Sequence, residues 1–375
     1  MITSLLNFKS NMMKKLVTSI GGQEYLTVQI DITNACNLKC YHCYHPNHVN
    51  RGALSLNDWF EVIGQYKKLI NKLMVKSSFV ICGGEPLLSP MLRPFLEKVR
   101  QEWPLAPISL LTNGTLLTAK NISLLKEFDI NIQVSLDGPT ADQHDLKRGK
   151  GNFEKSKAGI KLALDSDISV HILAVLSKQS SQWIADFFKM ARDLRVYSMN
   201  FTRLIVAGSG QEMVKRGEDF SLIGLELRDA YISILKNSKQ YGVTTNTNKP
   251  LFCLIDKSLG ANSKFGYQGL VIDYKGNLKV SSRTDFILGN VLSKGLEKLF
   301  LKHPLLKKLR TEKIQGCEKC EYLTQCGGDR NASYATNGNY LGFDEGCWKS
   351  EILILKGEHD ENQKSNNLIA GNIAN

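Results

Sequence analysis

The sequence predicts an α/β fold: a partial, TIM-like (β/α)6 barrel followed by a small cysteine-rich module. Between residues 25 and 240, short apolar runs alternate six times with amphipathic helical patterns. Strict alternation of this kind is typical of a parallel sheet with right-handed crossovers. Six units are fewer than the eight of a closed barrel, so we expect an open one. Most of the nine cysteines fall within residues 36–43 and 317–347, at the start and after the end of this pattern.

The six strands are predicted where apolar runs occur, at 27–33, 77–82, 107–112, 130–136, 168–176 and 198–206. Helical patterns separate or follow them, at 55–73, 90–102, 119–127, 153–164, 181–194 and 220–240. Ser55 and Asp58 have the spacing of a capping box, which predicts the start of the first helix.

Four segments are predicted along the chain. An N-terminal extension covers residues 1–24, and the barrel covers 25–240. The cysteine-rich domain covers 241–355 and opens with a linker at 241–252. The polar tail from 356 to 375 is expected to be disordered.

Composition excludes several classes of protein. The hydrophobic content of 42% and charged content of 22% are those of a soluble globular protein, and no apolar run is long enough to cross a bilayer. The start of the chain lacks a secretory signal, so the cysteines indicate metal binding in a reducing cytoplasm rather than disulfides. The net charge of +12 describes either a solvated basic surface or attraction to an anionic partner, such as an acidic peptide or a nucleotide. No basic pattern with interleaved aromatics indicates nucleic-acid binding.

The stretch ACNLKCYHCY directly follows the first predicted strand and contains Cys36, Cys40 and Cys43. Polar residues between the cysteines argue against simple core packing. Structural zinc requires four ligands, and the fourth could come from one of three histidines, His42, His45 and His48. The third interpretation is an iron–sulfur cluster held by three thiolates, which leaves one iron free to bind a small molecule.

Three further motifs also follow predicted strands. CGGEP (82–86) follows the second strand, and its glycines would let the backbone approach a ligand closely. TNG (112–114) follows the third strand, and SLDGP (135–139) follows the fourth, with Arg148 downstream. Each motif is weak alone, but active sites of such barrels lie on the loops that leave the C-terminal strand ends. The shared placement predicts one site.

Together these motifs resemble the radical S-adenosylmethionine (SAM) superfamily over roughly residues 25–210. The resemblance implies a [4Fe–4S] cluster on Cys36, Cys40 and Cys43, with SAM bound to the open iron. It also implies a SAM-binding set: Gly83, Gly84 and Glu85 at the amino group, Ser135 and Arg148 at the ribose and carboxylate, His42 and Leu204 at the adenine, and Asn113 in the same site.

The resemblance further implies the chemistry. SAM would be cleaved reductively to a 5′-deoxyadenosyl radical, which abstracts hydrogen from a substrate carbon. The cluster would receive its electron from a donor such as flavodoxin or ferredoxin. The barrel must enclose the radical and exclude water, because the radical would attack any accessible group.

The C-terminal module has four cysteines, Cys317, Cys320, Cys326 and Cys347, whose spacing alone suits zinc as well as a cluster. Behind a radical SAM core, the pattern resembles the SPASM extension, whose full versions carry two auxiliary clusters. Here Ser281 and Asp329 stand where cysteines are expected. We therefore expect one auxiliary [4Fe–4S] cluster, and we expect Cys82 and Cys253 to be buried thiols.

The resemblance favours modification of a peptide or protein. Sulfatase maturases have a similar layout but carry an aspartate where this chain has Ser282, which argues against that activity. Only 35 residues precede Cys36, so a leader peptide would need the basic surface or a separate leader-binding protein. The alternatives are a dehydrogenase or epimerase of a sugar or amino-sugar, and a non-catalytic zinc or iron–sulfur protein.

Overall fold

The computed structural model describes residues 18–20, 23–45, 48–260, 269–311 and 314–349. Ten strands in these residues form one sheet: β1 (Thr18–Ile20), β2 (Gln23–Asp31), β3 (Lys76–Cys82), β4 (Ile108–Thr112), β5 (Ile130–Ser135), β6 (Val170–Leu176), β7 (Ser198–Arg203), β8 (Gly269–Ile272), β9 (Asn277–Lys279) and β10 (Ile287–Asn290).

The described α-helices are α1 (Leu56–Leu73), α2 (Leu92–Glu102), α3 (Ala119–Glu127), α4 (Ala141–Arg148), α5 (Asn152–Leu164), α6 (Lys178–Ser181), α7 (Ile184–Leu194), α8 (Ser209–Lys215), α9 (Gly224–Tyr241), α10 (Val291–Lys294), α11 (Leu296–Lys302), α12 (Pro304–Thr311) and α13 (Arg330–Asn337). Short 3-10 turns occur at Pro86–Leu88 and Phe252–Leu254. No helix in the described ranges is long and apolar enough to span a membrane.

The predicted partial barrel is confirmed. Strands β2 to β7 pair in sequence order, and every pair is parallel. No pairing joins β7 to the other end of the sheet within the described residues, so the barrel stays open. Helix α1 begins where the capping box predicts, because the Ser55 side chain accepts a hydrogen bond from the Asp58 amide. The Tyr66 hydroxyl of α1 donates to the carbonyl of Leu26 (2.5 Å) and so joins this helix to β2.

In the barrel, helices α4 and α8 lie where no helical pattern was identified, and the helix predicted at 181–194 is divided between α6 and α7. In the C-terminal module, α10 to α13 likewise lie where no helical pattern was identified. Helix α4 was missed because the side chains that it buries are polar, His144 and Lys147. The Lys147 ammonium lies 3.0 Å from the Asp219 carboxylate, and both side chains are buried. An apolar periodicity cannot reveal a helix whose inner face is held by an ion pair.

The sheet continues across the predicted domain boundary at residue 241. Strand β8 of the cysteine-rich module pairs with β2 in parallel, on the opposite side from β3. The guanidinium of Arg203, at the end of β7, donates to both carboxylate oxygens of Asp344 at 2.9–3.0 Å. The module is therefore joined to the barrel at both ends of the barrel strand order. The predicted disordered tail and most of the N-terminal extension lie outside the described residues.

Helix α5 supports the loop that follows β4. Its Gly159 packs so closely that a Cβ atom there would lie 2.5 Å from the carbonyl oxygen of Gly114 and 2.7 Å from the Cβ of Leu117. By contrast, a Cβ added at Gly64, in α1, would meet no heavy atom within 4 Å.

We expect Gly159→Ala to destabilise the protein by about 1–3 kcal/mol, because backbone must move to accept the methyl group. The matched control, Gly64→Ala, should instead raise the free energy of unfolding by about 1 kcal/mol, because alanine is the better helix former. Urea unfolding of both variants provides the measurement. Equal urea midpoints for the two variants would show that Gly159 does not pack closely against the loop after β4.

Candidate functional site

A cavity of about 310 Å³ lies at the C-terminal ends of the barrel strands. Loops after successive parallel strands meet there, which is where barrel enzymes place their chemistry. All three cysteines of the first cluster line this cavity. Seven of the eight predicted cofactor residues line it too: His42, Gly83, Gly84, Asn113, Ser135, Arg148 and Leu204.

The two positions after β3 require glycine, because the backbone of residues 33–35 lies too close to leave space for a side chain. A Cβ at Gly83, whose φ is +139°, would lie 2.2 Å from the Thr33 carbonyl oxygen, and one at Gly84 would lie 2.3 Å from that of Ala35. The amides of Gly84 and Glu85 donate to these same two carbonyls, both at 2.8 Å. The glycine pair therefore fixes the chain that leads into the cysteine loop.

Glu85 is fully buried and is not among the described residues that line the cavity. Its carboxylate accepts hydrogen bonds from the Thr112 hydroxyl and the Asn113 amide, both at 2.8 Å. Burial raises the pKa of Glu85 to about 7, although these bonds oppose the shift. In this arrangement its side chain holds the TNG loop, and contact with the SAM amino group would have to come through its backbone.

The Arg148 side chain is only 12% exposed, so it is not a surface charge. Its Nε donates to Asp137 Oδ2 at 2.5 Å, and its Nη1 lies 3.8 Å from the sulfur of Cys40. The same Asp137 oxygen is 3.0 Å from His42 Nε2. Burial alone would raise the pKa of Asp137, but the neighbouring Arg148 and His42 outweigh burial and hold this pKa well below its usual range. The SLDGP motif therefore supplies the carboxylate that orients Arg148 at the cysteine loop.

The three cysteines of the loop all line this cavity. Backbone amides donate to the sulfurs of Cys36 and Cys43, each at 3.4 Å. Burial raises the pKa of all three thiols, to about 11 for Cys43, and metal binding to the thiolates would offset this cost. No three described Cys, His, Asp or Glu side chains are placed to hold a single metal ion. A [4Fe–4S] cluster binds each thiolate through a different iron, so this arrangement suits a cluster better than one tetrahedral zinc ion.

Burial raises the pKa of Cys317 and Cys347, and the other cysteines of the C-terminal module lie close enough to add to both shifts. Cys253 is buried beside them, and its thiol shares a hydrogen bond with that of Cys326, which lowers the pKa of Cys253. The sequence did not reveal this neighbour, because 64 or more residues separate Cys253 from the other four cysteines.

The two residues that replace expected cysteines have other contacts. The Ser281 hydroxyl accepts a hydrogen bond from the amide of Arg283 at 3.1 Å. Asp329 caps helix α13 by accepting from the Asn331 amide at 3.0 Å. Burial alone would raise the pKa of Asp329, but the charges of Arg283 and Arg203 outweigh burial and lower this pKa. Both side chains thus have structural partners within the protein.

Several cavity residues were not identified from the sequence. They include Tyr44, Gln133, Thr202, Arg203, Ser282 and Arg283. Ser282 and Arg283 belong to the C-terminal module. Ser282 stands where sulfatase maturases carry an aspartate, and the only sequence signal of Arg283 is that it follows the replaced cysteine position by two residues. His45 and His48, considered above as zinc ligands, also line the cavity.

Residues 30–191 match the family model of the radical SAM superfamily. The chain contains a radical SAM domain. The protein is an enzyme, and radical SAM domains use a [4Fe–4S] cluster and SAM.

Similarity extends beyond this domain. The subtilosin biosynthesis protein AlbA of Bacillus subtilis is 26% identical over 330 residues, which covers 83% of this chain and 69% of AlbA. An AdoMet-dependent heme synthase of Methanosarcina barkeri is 26% identical over 342 residues, covering 84% of this chain and 94% of the synthase. The structure of Streptococcus suis SuiB bound to the precursor peptide SuiA has the same fold, with a TM-score of 0.68, 18% identity, and coverage of 91% of this chain and 77% of SuiB.

We expect Arg148→Lys to weaken SAM binding about tenfold while leaving the cluster in place, because lysine cannot contact Asp137 and reach the cavity with a planar pair of donors. Equilibrium binding of SAM to anaerobically reconstituted protein provides the measurement. Arg192→Lys, at an exposed position paired with Asp193, is the matched control and should bind SAM like the parent. Unchanged affinity in Arg148→Lys would contradict this role.

Iron and sulfide analysis should give about eight irons per chain, corresponding to one cluster at the SAM site and one auxiliary cluster, since each cluster needs a set of cysteine ligands. Cys320→Ala should lose about half of the iron, whereas Cys253→Ala should keep both clusters. A value near twelve irons that falls in Cys253→Ala would instead establish a third cluster.

Proposed function

We propose that this enzyme modifies a peptide or protein by abstracting hydrogen from one of its carbon atoms. The observation that carries this proposal is the similarity to AlbA, a bacteriocin biosynthesis protein, which spans both the barrel and the C-terminal module. The SuiB complex supports it only through the shared fold. The net charge of +12 is consistent with an acidic peptide as the partner.

When bound, the cluster and SAM supply a reductive cleavage of the sulfonium that produces methionine and a 5′-deoxyadenosyl radical. In this proposal Cys36, Cys40 and Cys43 hold the cluster, and Arg148 orients SAM from its ion pair with Asp137. Apolar side chains of the barrel lumen, Leu111, Leu173 and Val175, line the same cavity and would exclude water from the reacting groups.

A second candidate is chemistry on a small molecule, because the heme synthase similarity has the same identity as the AlbA similarity, covers as much of this chain, and covers more of the relative (94% against 69%). This candidate agrees with the sequence-based alternative of an enzyme acting on a metabolite such as a sugar. In the first candidate the carbon that loses hydrogen belongs to a peptide or protein, and in the second it belongs to a small molecule.

Anaerobically reconstituted protein with dithionite should convert SAM to 5′-deoxyadenosine and methionine. Cys40→Ala should abolish the conversion, because the SAM-site cluster loses one of its three ligands. Cys320→Ala is the control and should keep part of it. Zinc bound at these cysteines without SAM turnover would contradict radical chemistry altogether.

The substrate class can be tested by hydrogen transfer. The enzyme is supplied either with peptides from digested perdeuterated cell protein or with a perdeuterated small-molecule extract. Deuterium in 5′-deoxyadenosine from the peptide pool alone supports the proposal. Deuterium from the small-molecule pool alone would favour the second candidate.

A further inference from the structure

The C-terminal module contributes one basic side chain, Arg283, to the wall of the cavity. Its Nη1 donates to the Thr202 hydroxyl at 3.0 Å and lies 3.4 Å from the Arg203 carbonyl, at the C-terminal end of β7. About a quarter of the side chain is exposed (27%), so the guanidinium is held in place but still accessible from the cavity.

The other edge of this guanidinium is available for a ligand. Within the described residues, Nε and Nη2 make no hydrogen bond, and the nearest carboxylate oxygen, that of Asp329, lies 3.9 Å from Nη2. That distance is too long for a hydrogen bond. Asp329 caps α13 through Oδ1, and its Oδ2 faces Arg283 as a long ion pair that leaves the hydrogens of this edge unbonded. The Nε and Nη2 hydrogens are parallel, and such a pair binds both oxygens of a carboxylate.

The charges around Arg283 do not cancel. The charge of Arg203 is neutralised by Asp344, because Arg203 Nη1 donates to both of its carboxylate oxygens. This leaves Arg283 and the half-buried Lys249, whose ammonium donates to the Phe201 carbonyl, with the carboxylate of Asp329 near both of them. Burial, and then the charge of Arg283, lower the pKa of Lys249 to about 8. Buried positive charge without a full complement of anions is costly, so an anionic ligand would stabilise this wall.

We propose that Arg283 binds a carboxylate of the substrate and so fixes the substrate relative to the cysteine loop on the same cavity. This inference rests on the proposed function, in which the carboxylate belongs to an aspartate or glutamate side chain or to a free peptide C-terminus. Arg283 is then a specificity residue contributed by the C-terminal module.

The test compares two matched probes, N-acetyl-glutamate amide and N-acetyl-glutamine amide, which differ only in the carboxylate. Their binding to the reconstituted full chain is measured by calorimetry in the presence of SAM. The parent enzyme should bind the glutamate probe about tenfold more tightly, as expected for a charge-assisted bidentate contact. In Arg283→Gln the ratio should fall to about one, with SAM affinity unchanged.

Two further variants keep the test decisive. Thr202→Val retains the charge but removes the hydroxyl that orients it, and should reduce the ratio even if Arg283→Gln does not fold. Arg192→Gln removes an exposed positive charge outside the cavity and should keep the parent ratio. Equal binding of the two probes by the parent, or an undiminished ratio in Arg283→Gln, would overturn the proposal, as would a loss of SAM affinity with the ratio intact.

A random-sequence decapeptide library, made with C-terminal acids or amides, distinguishes a side-chain carboxylate from a terminal one. It also tests the carboxylate site separately from the peptide substrate. Enrichment of aspartate and glutamate in the amide library supports a side-chain carboxylate. Preference for acids over amides supports a terminal one, and either preference should disappear in Arg283→Gln. If no peptide is enriched but the probe ratio holds, the carboxylate site stands and the peptide substrate is wrong.

Discussion

The buried carboxylate of Asp137 is the interaction on which the site depends. It joins three other parts of the chain: His42 of the cysteine loop, Arg148 at the end of α4, and the amide of Val175 on β6, which donates at 2.7 Å. A fully buried carboxylate is tolerated only when it is paired and hydrogen-bonded, and removing a partner from such a group costs about 3–5 kcal/mol. The position of Arg148 beside Cys40 is therefore enforced by the stability of the fold.

A second constraint is the close contact of three successive loops. The glycine pair after β3 leaves no space between its backbone and residues 33–35, and Glu85 then reaches across to the loop after β4. From that loop the Asn113 side chain donates to Asn37, inside the cysteine stretch, at 2.9 Å. Residues that are weak motifs individually thus form one hydrogen-bonded unit around the thiols.

The C-terminal module is part of the site as well as the holder of the second cysteine group. Strand β8 extends the barrel sheet, and the Arg203–Asp344 pair fixes the module at the far side. Where cysteines were expected, Ser281 and Asp329 stabilise the backbone around Arg283 and α13 instead. Arg283, two residues after Ser281, presents its side chain to the cavity.

The sequence by itself determined the order of the six barrel strands, the open barrel and the strand ends that carry the site, because these follow from local periodicity and short motifs. It also placed seven of the eight proposed cofactor residues on one cavity. It could not reveal helix α4, whose buried side chains are polar, or the inward position of Glu85. The partner of Arg148 and the approach of Arg283 to Thr202, 81 residues away in sequence, were decided by the tertiary structure. Such contacts depend on how parallel strands and their loops align in space, and no periodicity along the chain encodes that alignment.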